Sequence, residues 1–191
     1  MTAVTFVSSN PGKSREAAAI LRPFGIDVRW RKRILTEPQA DDLETVVRAK
    51  LNAVRGIPGW VLVEDSGLFI PSLGGFPGVY SSYFEKIWGH ATNFRPFFEL
   101  LRRRDRRATF RTVAGVRRGN RISLFVGKSE GRIAARPQGT QGFGYDPIFI
   151  PDGSKRTYAE LSAGEKNRLS HRARALRKVG KALGEGPTVT S

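Results

Sequence analysis

An unbroken apolar run, Trp60-Val61-Leu62-Val63, stops at two adjacent carboxylates, Glu64 and Asp65. A strand without polar alternation is typical of a sheet interior, covered on both faces. It is expected to end at Asp65-Ser66-Gly67, and strand ends are where open α/β sheets place their ligands. Other segments supply the rest of a mixed fold. Residues 3–8, 26–34, 108–116, 121–127 and 131–134 read as strands, the fourth with alternating Ile122, Leu124 and Val126. Asn10-Pro11 is a helix start, and Pro23 and Gly25 end that helix. Asp41 or Asp42 can cap a helix that runs to about Arg55, with Gly56 as its C-cap. Phe94, Phe97, Phe98 and Leu101 follow i, i+3, i+4, i+7, with Pro96 tolerable in a first turn. Residues 71–78 and 137–147 are glycine-rich loops, 102–107 a basic connector, and 163–183 mostly helical. The expected class is α/β, a sandwich around a long sheet.

Composition narrows the chemistry. The 191 residues, 39% of them hydrophobic, suit one globular domain or a large lobe with a small one. No cysteine is present, which excludes disulfides and thiolate metal sites, and the two histidines, His90 and His171, do not make a His-rich zinc site. Residues 1–9 lack the basic start of a signal peptide, and no apolar run is long enough for a bilayer, so the expectation is a cytoplasmic protein with no membrane partner. The net charge of +16 predicts attraction to polyanions, whether nucleic acid or free nucleotides.

Four clusters and one further carboxylate, Glu44, can carry chemistry. Ser8-Ser9-Asn10-Pro11-Gly12-Lys13 joins a strand to a helix N-terminus, where unpaired N–H groups and Lys13 suit a phosphate; an ordinary capped helix has the same pattern. Glu64-Asp65-Ser66 offers two carboxylates for Mg²⁺, or else a polar exit from a strand; consecutive strand residues face opposite ways, so a turn is needed to bring both into one site. Glu44 is either a third carboxylate or the i, i+4 partner of Arg48. In Gly139–Pro147, Phe143 or Tyr145 can stack on a base and Asp146 can accept from a base N–H, although a turn with buried aromatics reads the same way. Ser162 and Glu165 form a capping box, and Lys166, His171 and Arg172 beyond it can donate to phosphate or a base carbonyl, or simply form a basic face. In one straight helix these three side chains would diverge. Their convergence requires a break, expected at Ser170, giving helices from about Ala163 to Leu169 and from just after Ser170, the second packed through Leu176, Val179 and Leu183.

Together SSNPGK at 8–13, VLVEDSGLFIPSLGGFPGVYSSY at 61–83, QGFGYDPIFIP at 141–151 and TYAELSAGEKNRLSHRARAL at 157–176 resemble the inosine/xanthosine triphosphate pyrophosphatase family, in its archaeal and eukaryotic branch. The resemblance implies one pyrophosphatase domain over 1–191 with an elongated mixed sheet flanked by helices, a nucleotide cleft between two lobes, and a homodimer. It implies Mg²⁺-dependent attack of water on the α-phosphorus of ITP, dITP or XTP, releasing the monophosphate and pyrophosphate, with nucleic acid not required. Asp65 would activate the water and bind Mg²⁺ with Glu44 and Glu64. Ser8, Ser9, Asn10, Lys13 and Ser66 would hold phosphates. Phe143, Gly144, Tyr145, Asp146, Lys166, His171 and Arg172 would surround the base and sugar. Ser9 and Ala173 depart from the family, where glycine is usual or frequent. Two rivals make different demands: a noncatalytic nucleic-acid-binding protein using the basic runs 102–107 and 168–181, and a related pyrophosphatase for modified pyrimidine nucleotides.

Overall fold

The computed structural model describes residues 2–88 and 93–184. Seven strands form one mixed sheet: β1 (Thr2–Ser8), β2 (Ile26–Lys32), β3 (Trp60–Phe69), β4 (Pro77–Gly78), β5 (Arg107–Arg118), β6 (Arg121–Ile133) and β7 (Phe149–Pro151). Its order is β2-β1-β3-β5-β6-β7, with β4 paired to β3. β1 runs parallel to β2 and β3, whereas β3–β4 and β6–β7 are antiparallel. The helices are α1 (Pro11–Leu21), α2 (Leu43–Ala53), α3 (Ser81–Ile87), α4 (Arg95–Leu100), α5 (Ala163–Leu169) and α6 (His171–Leu183). The α/β expectation holds. The chain divides into two compact units: 1–65 with 112–127 and 172–191, and 66–111 with 128–171.

In the first unit, alternation along the strands sorts side chains by face. Val4, Phe6, Leu62, Ala114 and Val116, all at even positions, pack with Ala17, Ile20 and Leu21 of α1 and Ala173, Leu176 and Val179 of α6. Odd positions face α2, where Gly115 lies close against Val47 and Leu51. The second unit has its own core, with Leu68, Ile70, Phe97, Phe110, Phe149 and Tyr158 among its members.

Several sequence expectations need correcting. β3 does not end at Asp65-Ser66-Gly67 but continues to Phe69, because Leu68 and Phe69 pair with Gly78 and Pro77 of β4. Gly67 permits this: a Cβ there would collide with the Gly78 carbonyl. Residues 71–78 are therefore not all loop, and they also hold a short 3₁₀ turn at Pro71–Leu73. The expected strands 121–127 and 131–134 are one strand, β6, whose end is held by β7. Gly56 does not cap α2. The helix ends at Val54, and the Arg117 guanidinium donates to the carbonyls of Val54 at 2.7 Å, Arg55 at 3.1 Å and Ile57 at 3.3 Å. An arginine from β5 thus satisfies the carbonyls of the turn that follows α2. The break at Ser170 is present: α5 ends at Leu169, Ser170 is extended (φ −71°, ψ 153°), and α6 begins at His171.

Candidate active site

β1 delivers the chain to Ser8, and Asn10 caps α1 with Pro11 in its first turn. The Asn10 carboxamide oxygen accepts from the backbone N–H groups of Gly12 (2.8 Å) and Lys13 (3.2 Å), and the Asn10 N–H donates to Ser8 Oγ (3.1 Å). This alters one premise of the sequence reading. Two first-turn N–H groups offered to phosphate are already satisfied by Asn10, so charge here comes chiefly from the Lys13 side chain. Ser9 is exposed, while Ser8 and Ser66 are half-buried.

Because β3 stays extended through residue 69, no turn turns Glu64 and Asp65 toward each other. They take separate partners on opposite faces. Glu64 shares the even face with Leu62: its Oε1 lies 2.8 Å from Lys13 Nζ, and its Oε2 lies 2.7 Å from Arg172 Nε. Arg172 Nη1 reaches Glu16 Oε2 at 2.6 Å. Two cations and two carboxylates balance in this network. Burial alone would raise the Glu64 carboxyl, but the Arg172 guanidinium and Lys13 ammonium together hold it well below the usual carboxylate range. Asp65 shares the odd face with Val61 and Val63. Its Oδ1 accepts from Lys50 Nζ at 2.9 Å, and the same ammonium lies 2.7 Å from Glu37 Oε1. Burial raises the Asp65 carboxyl above its ordinary value, with Lys50 acting against the rise. Burial would lower Lys50, but Asp65 and Glu37 reverse that and keep it an ammonium. Lys13 also opposes the rise at Asp65 electrostatically, and Glu37 adds to it.

Among the described residues, no three Asp, Glu or His side chains are grouped as a metal cage. The expected trio Glu44, Glu64 and Asp65 is therefore not assembled as one cluster. Glu44 sits half-buried in the first turn of α2. The donor set nonetheless suits Mg²⁺, which needs only one or two carboxylates when phosphates and waters complete its shell.

In the second unit, the loop carrying Phe143–Asp146 is shaped by Gly139, Gly142 and Gly144, whose φ angles are 80°, 80° and 62°. At Gly142 a Cβ would strike the Asp146 carboxylate. That carboxylate, through Oδ2, accepts from the Phe143 N–H (2.8 Å) and from Lys166 Nζ (2.6 Å). Lys166 Nζ also lies 4.8 Å from the Phe143 ring centroid. These three residues form one preorganised cluster. Tyr145 differs from expectation: it is only 4% exposed, packs beside Phe94 and Phe97, and donates its hydroxyl to the Ser81 carbonyl at 3.0 Å. Its ring is core, whereas Phe143 is half-buried. His171 is buried and stacks on Phe110, with centroids 4.4 Å apart and planes 7° apart. The capping box is present, with Ser162 N–H donating to Glu165 at 2.8 Å.

The structure gives roles to three residues that sequence reasoning passed over. Lys50 was detectable, since it occupies an apolar-face position of α2 between Val46, Val47 and Leu51. Glu16 and Glu37 had no local signal.

Comparison with known proteins places the chain in a family. The chain matches the model of the Ham1 family over residues 4–182. It is 46% identical to a dITP/XTP pyrophosphatase of Pyrococcus horikoshii over 176 residues, covering 91% of this chain and 92% of that one. It is 44% identical to a dITP/XTP pyrophosphatase of Thermococcus kodakarensis, covering 95% and 97%. Among solved structures, a HAM1 protein from Coxiella burnetii superposes with a TM-score of 0.79 at 30% identity, over 96% of this chain and 98% of that one. A nucleoside-triphosphatase / dITP/XTP pyrophosphatase from Mycobacterium abscessus gives 0.69 at 29%, over 93% and 97%.

Proposed function

The chain belongs to the Ham1 family, and from that premise we infer that it hydrolyses non-standard purine nucleoside triphosphates such as dITP, XTP and ITP to the monophosphate and pyrophosphate. The observation that carries this reading is the division of labour along β3: Glu64 is paired with Lys13 and Arg172, while Asp65 is held by Lys50, an ammonium it shares with Glu37. The second arrangement suits a base beside a cation; the first suits a fixed scaffold for Lys13.

Asp65 accepts a proton from water that attacks the α-phosphorus in line. Its raised carboxyl makes it a stronger base than an exposed aspartate. Lys50 orients it through Oδ1. Lys13, with Ser8, Ser9, Asn10 and Ser66, binds the phosphates, and Lys13 stabilises charge on the departing pyrophosphate. Asp65 and Glu44 would be the hard oxygen donors for Mg²⁺, which would offset repulsion between phosphate oxygens. Glu64 acts chiefly by holding Lys13, and Arg172 by holding Glu64. Phe143 stacks on the base, while Lys166, His171 and Asp146, with the Gly144–Tyr145 backbone, present donors and an acceptor to its edge. A 6-amino group would leave donors to a 6-oxo carbonyl unpaired, which disfavours adenine. The chain acts as one pyrophosphatase domain, as a homodimer, and in the cytoplasm; no helix among the described residues is long and apolar enough to cross a membrane.

Pyrophosphate release from ITP, XTP, dITP, GTP, ATP and a modified pyrimidine triphosphate, with and without Mg²⁺, tests this function. Turnover of ITP, XTP and dITP that requires the metal and strongly disfavours GTP and ATP is expected. Equal turnover of ATP, or preference for the pyrimidine, would overturn the substrate assignment.

A further inference from the structure

The outward side of α6 carries Arg174, Arg177, Lys178 and Lys181. Their i, i+3, i+4, i+7 spacing puts all four on one stripe, about 10 Å long at the rise of an α-helix. Arg174, Lys178 and Lys181 are exposed and Arg177 is half-buried. The opposite side of the helix, Ala173, Leu176 and Val179, is sealed in the core of the first unit. Lys178 Nζ donates to the Val126 carbonyl at 2.7 Å, fastening the helix to β6. Residues 172–184 contain no acidic side chain, and neither do residues 112–127 of the same unit, which add Arg118 and Arg121 as exposed cations.

This arrangement is unfavourable for a helix left to itself. Like charges at i, i+3 and i, i+4 repel. Arg174 also stands in the first turn, where the helix dipole disfavours a cation. The stripe is held in place by burial of its apolar side rather than by ion pairs within the helix.

We propose that this face docks on the phosphate backbone of a nucleic-acid duplex, in addition to the hydrolysis carried out elsewhere in the chain. A duplex presents one negative charge per about 1.7 Å of its axis, so a rigid row of four cations about 10 Å long meets several phosphates at once. Contacts to phosphate oxygens carry no sequence information, so docking through the backbone is independent of sequence. An anionic lipid surface fits less well, because an interfacial helix must turn an apolar side to the lipid and here that side is in the core.

Fluorescence anisotropy with a labelled random duplex of about 20 base pairs tests the proposal on the full chain, titrated between about 50 and about 200 mM salt. The expected slope of log K against log salt is about −2 to −4, the range for two to four phosphate contacts. The variant carrying Arg174→Gln, Arg177→Gln, Lys178→Gln and Lys181→Gln should keep its pyrophosphatase rate and lose about tenfold or more in duplex affinity at the lowest salt, with a flatter slope. A second variant removes equal charge from the other unit, at the exposed Arg102, Arg103, Arg136 and Lys155, and should bind nearly as wild type. Amine labelling of the unaltered chain needs no variant: duplex should protect Lys178 and Lys181 but not Lys155. Equal weakening of both variants, labelling of Lys178 and Lys181 unaffected by duplex, or binding to phosphatidylserine vesicles without binding to duplex would each overturn the proposal.

Discussion

Glu64 and Asp65 are neighbours in sequence and opposites in environment. The β-strand period sends one to Lys13 and Arg172 and the other to Lys50. Removing the base while keeping its shape should therefore stop chemistry without dismantling the site. Asp65→Asn is expected to lower kcat by about 10²–10⁴-fold with substrate affinity largely retained, as steady-state kinetics on ITP would report; a variant within about tenfold of wild type would remove Asp65 from the mechanism. The Lys50 ammonium holds the Asp65 carboxyl down against its burial. Asp65 works only when ionised, so activity rises as pH passes its raised pKa. Lys50→Met should push that pKa higher and shift the acid limb of the kcat profile upward. An unmoved limb would mean another group sets it. Asp65 and Lys13 were legible as candidates from their motifs. Lys50 was legible too, as a lysine on an apolar stripe, but its partner lies fifteen positions along the chain, a contact that only the fold creates. Tyr145 misled for the converse reason: glycine-rich flanks look like an open loop whether the ring points to solvent or to Phe94 and Phe97.

At the scale of elements, the turn from β1 into α1 is stabilised by a single carboxamide. Asn10→Ala removes the acceptor for two backbone N–H groups, at a cost of about 1 kcal/mol. For a chain of this size, melting should drop by about 2–4 °C, measurable by calorimetry. A larger share of the loss should appear in KM for triphosphate, because the same turn aims Lys13. No change in either quantity would mean the cap is dispensable. Helix starts were well marked in the sequence, since Asn10, Asp42 and Ser162 all cap as their side chains suggest. So was the break at Ser170, which follows from the need to turn His171 and Lys166 inward. Boundaries set by distant partners were not legible. β3 outruns its apolar run because β4 pairs with it past Gly67, and the turn after α2 is fixed by Arg117, which takes its carbonyls. Neither partner is local to the segment it governs.

For the molecule as a whole, buried ion pairs tie stability to pH. The folded Glu64 carboxyl is held below its ordinary value of 4.5. Its contribution is therefore present above that value and is lost as pH falls through it toward the folded pKa. Urea unfolding followed from pH 7 downward should show stability declining below about pH 4.5, and Glu64→Gln should flatten that decline while lowering stability at neutral pH, where it leaves Arg172 and Lys13 without their shared carboxylate. An acid branch as steep as wild type in that variant would assign the effect to other carboxylates. The fold class and the family were both legible in the sequence, because the four matching motifs follow one another in order along the chain. Two lobes were implied by the resemblance, but the boundaries of the two compact units at Asp65, Arg111, Gly127 and His171 were not legible, since they cut through β3, β5 and β6 rather than through linkers. The proposed reaction is attack of water on the α-phosphorus of a non-standard purine triphosphate. Hydrolysis of ITP in oxygen-18 water, followed by phosphorus NMR, tests it most directly. The label should appear on the monophosphate, with unlabelled pyrophosphate as the second product; label in released orthophosphate or pyrophosphate, or formation of the diphosphate, would contradict it.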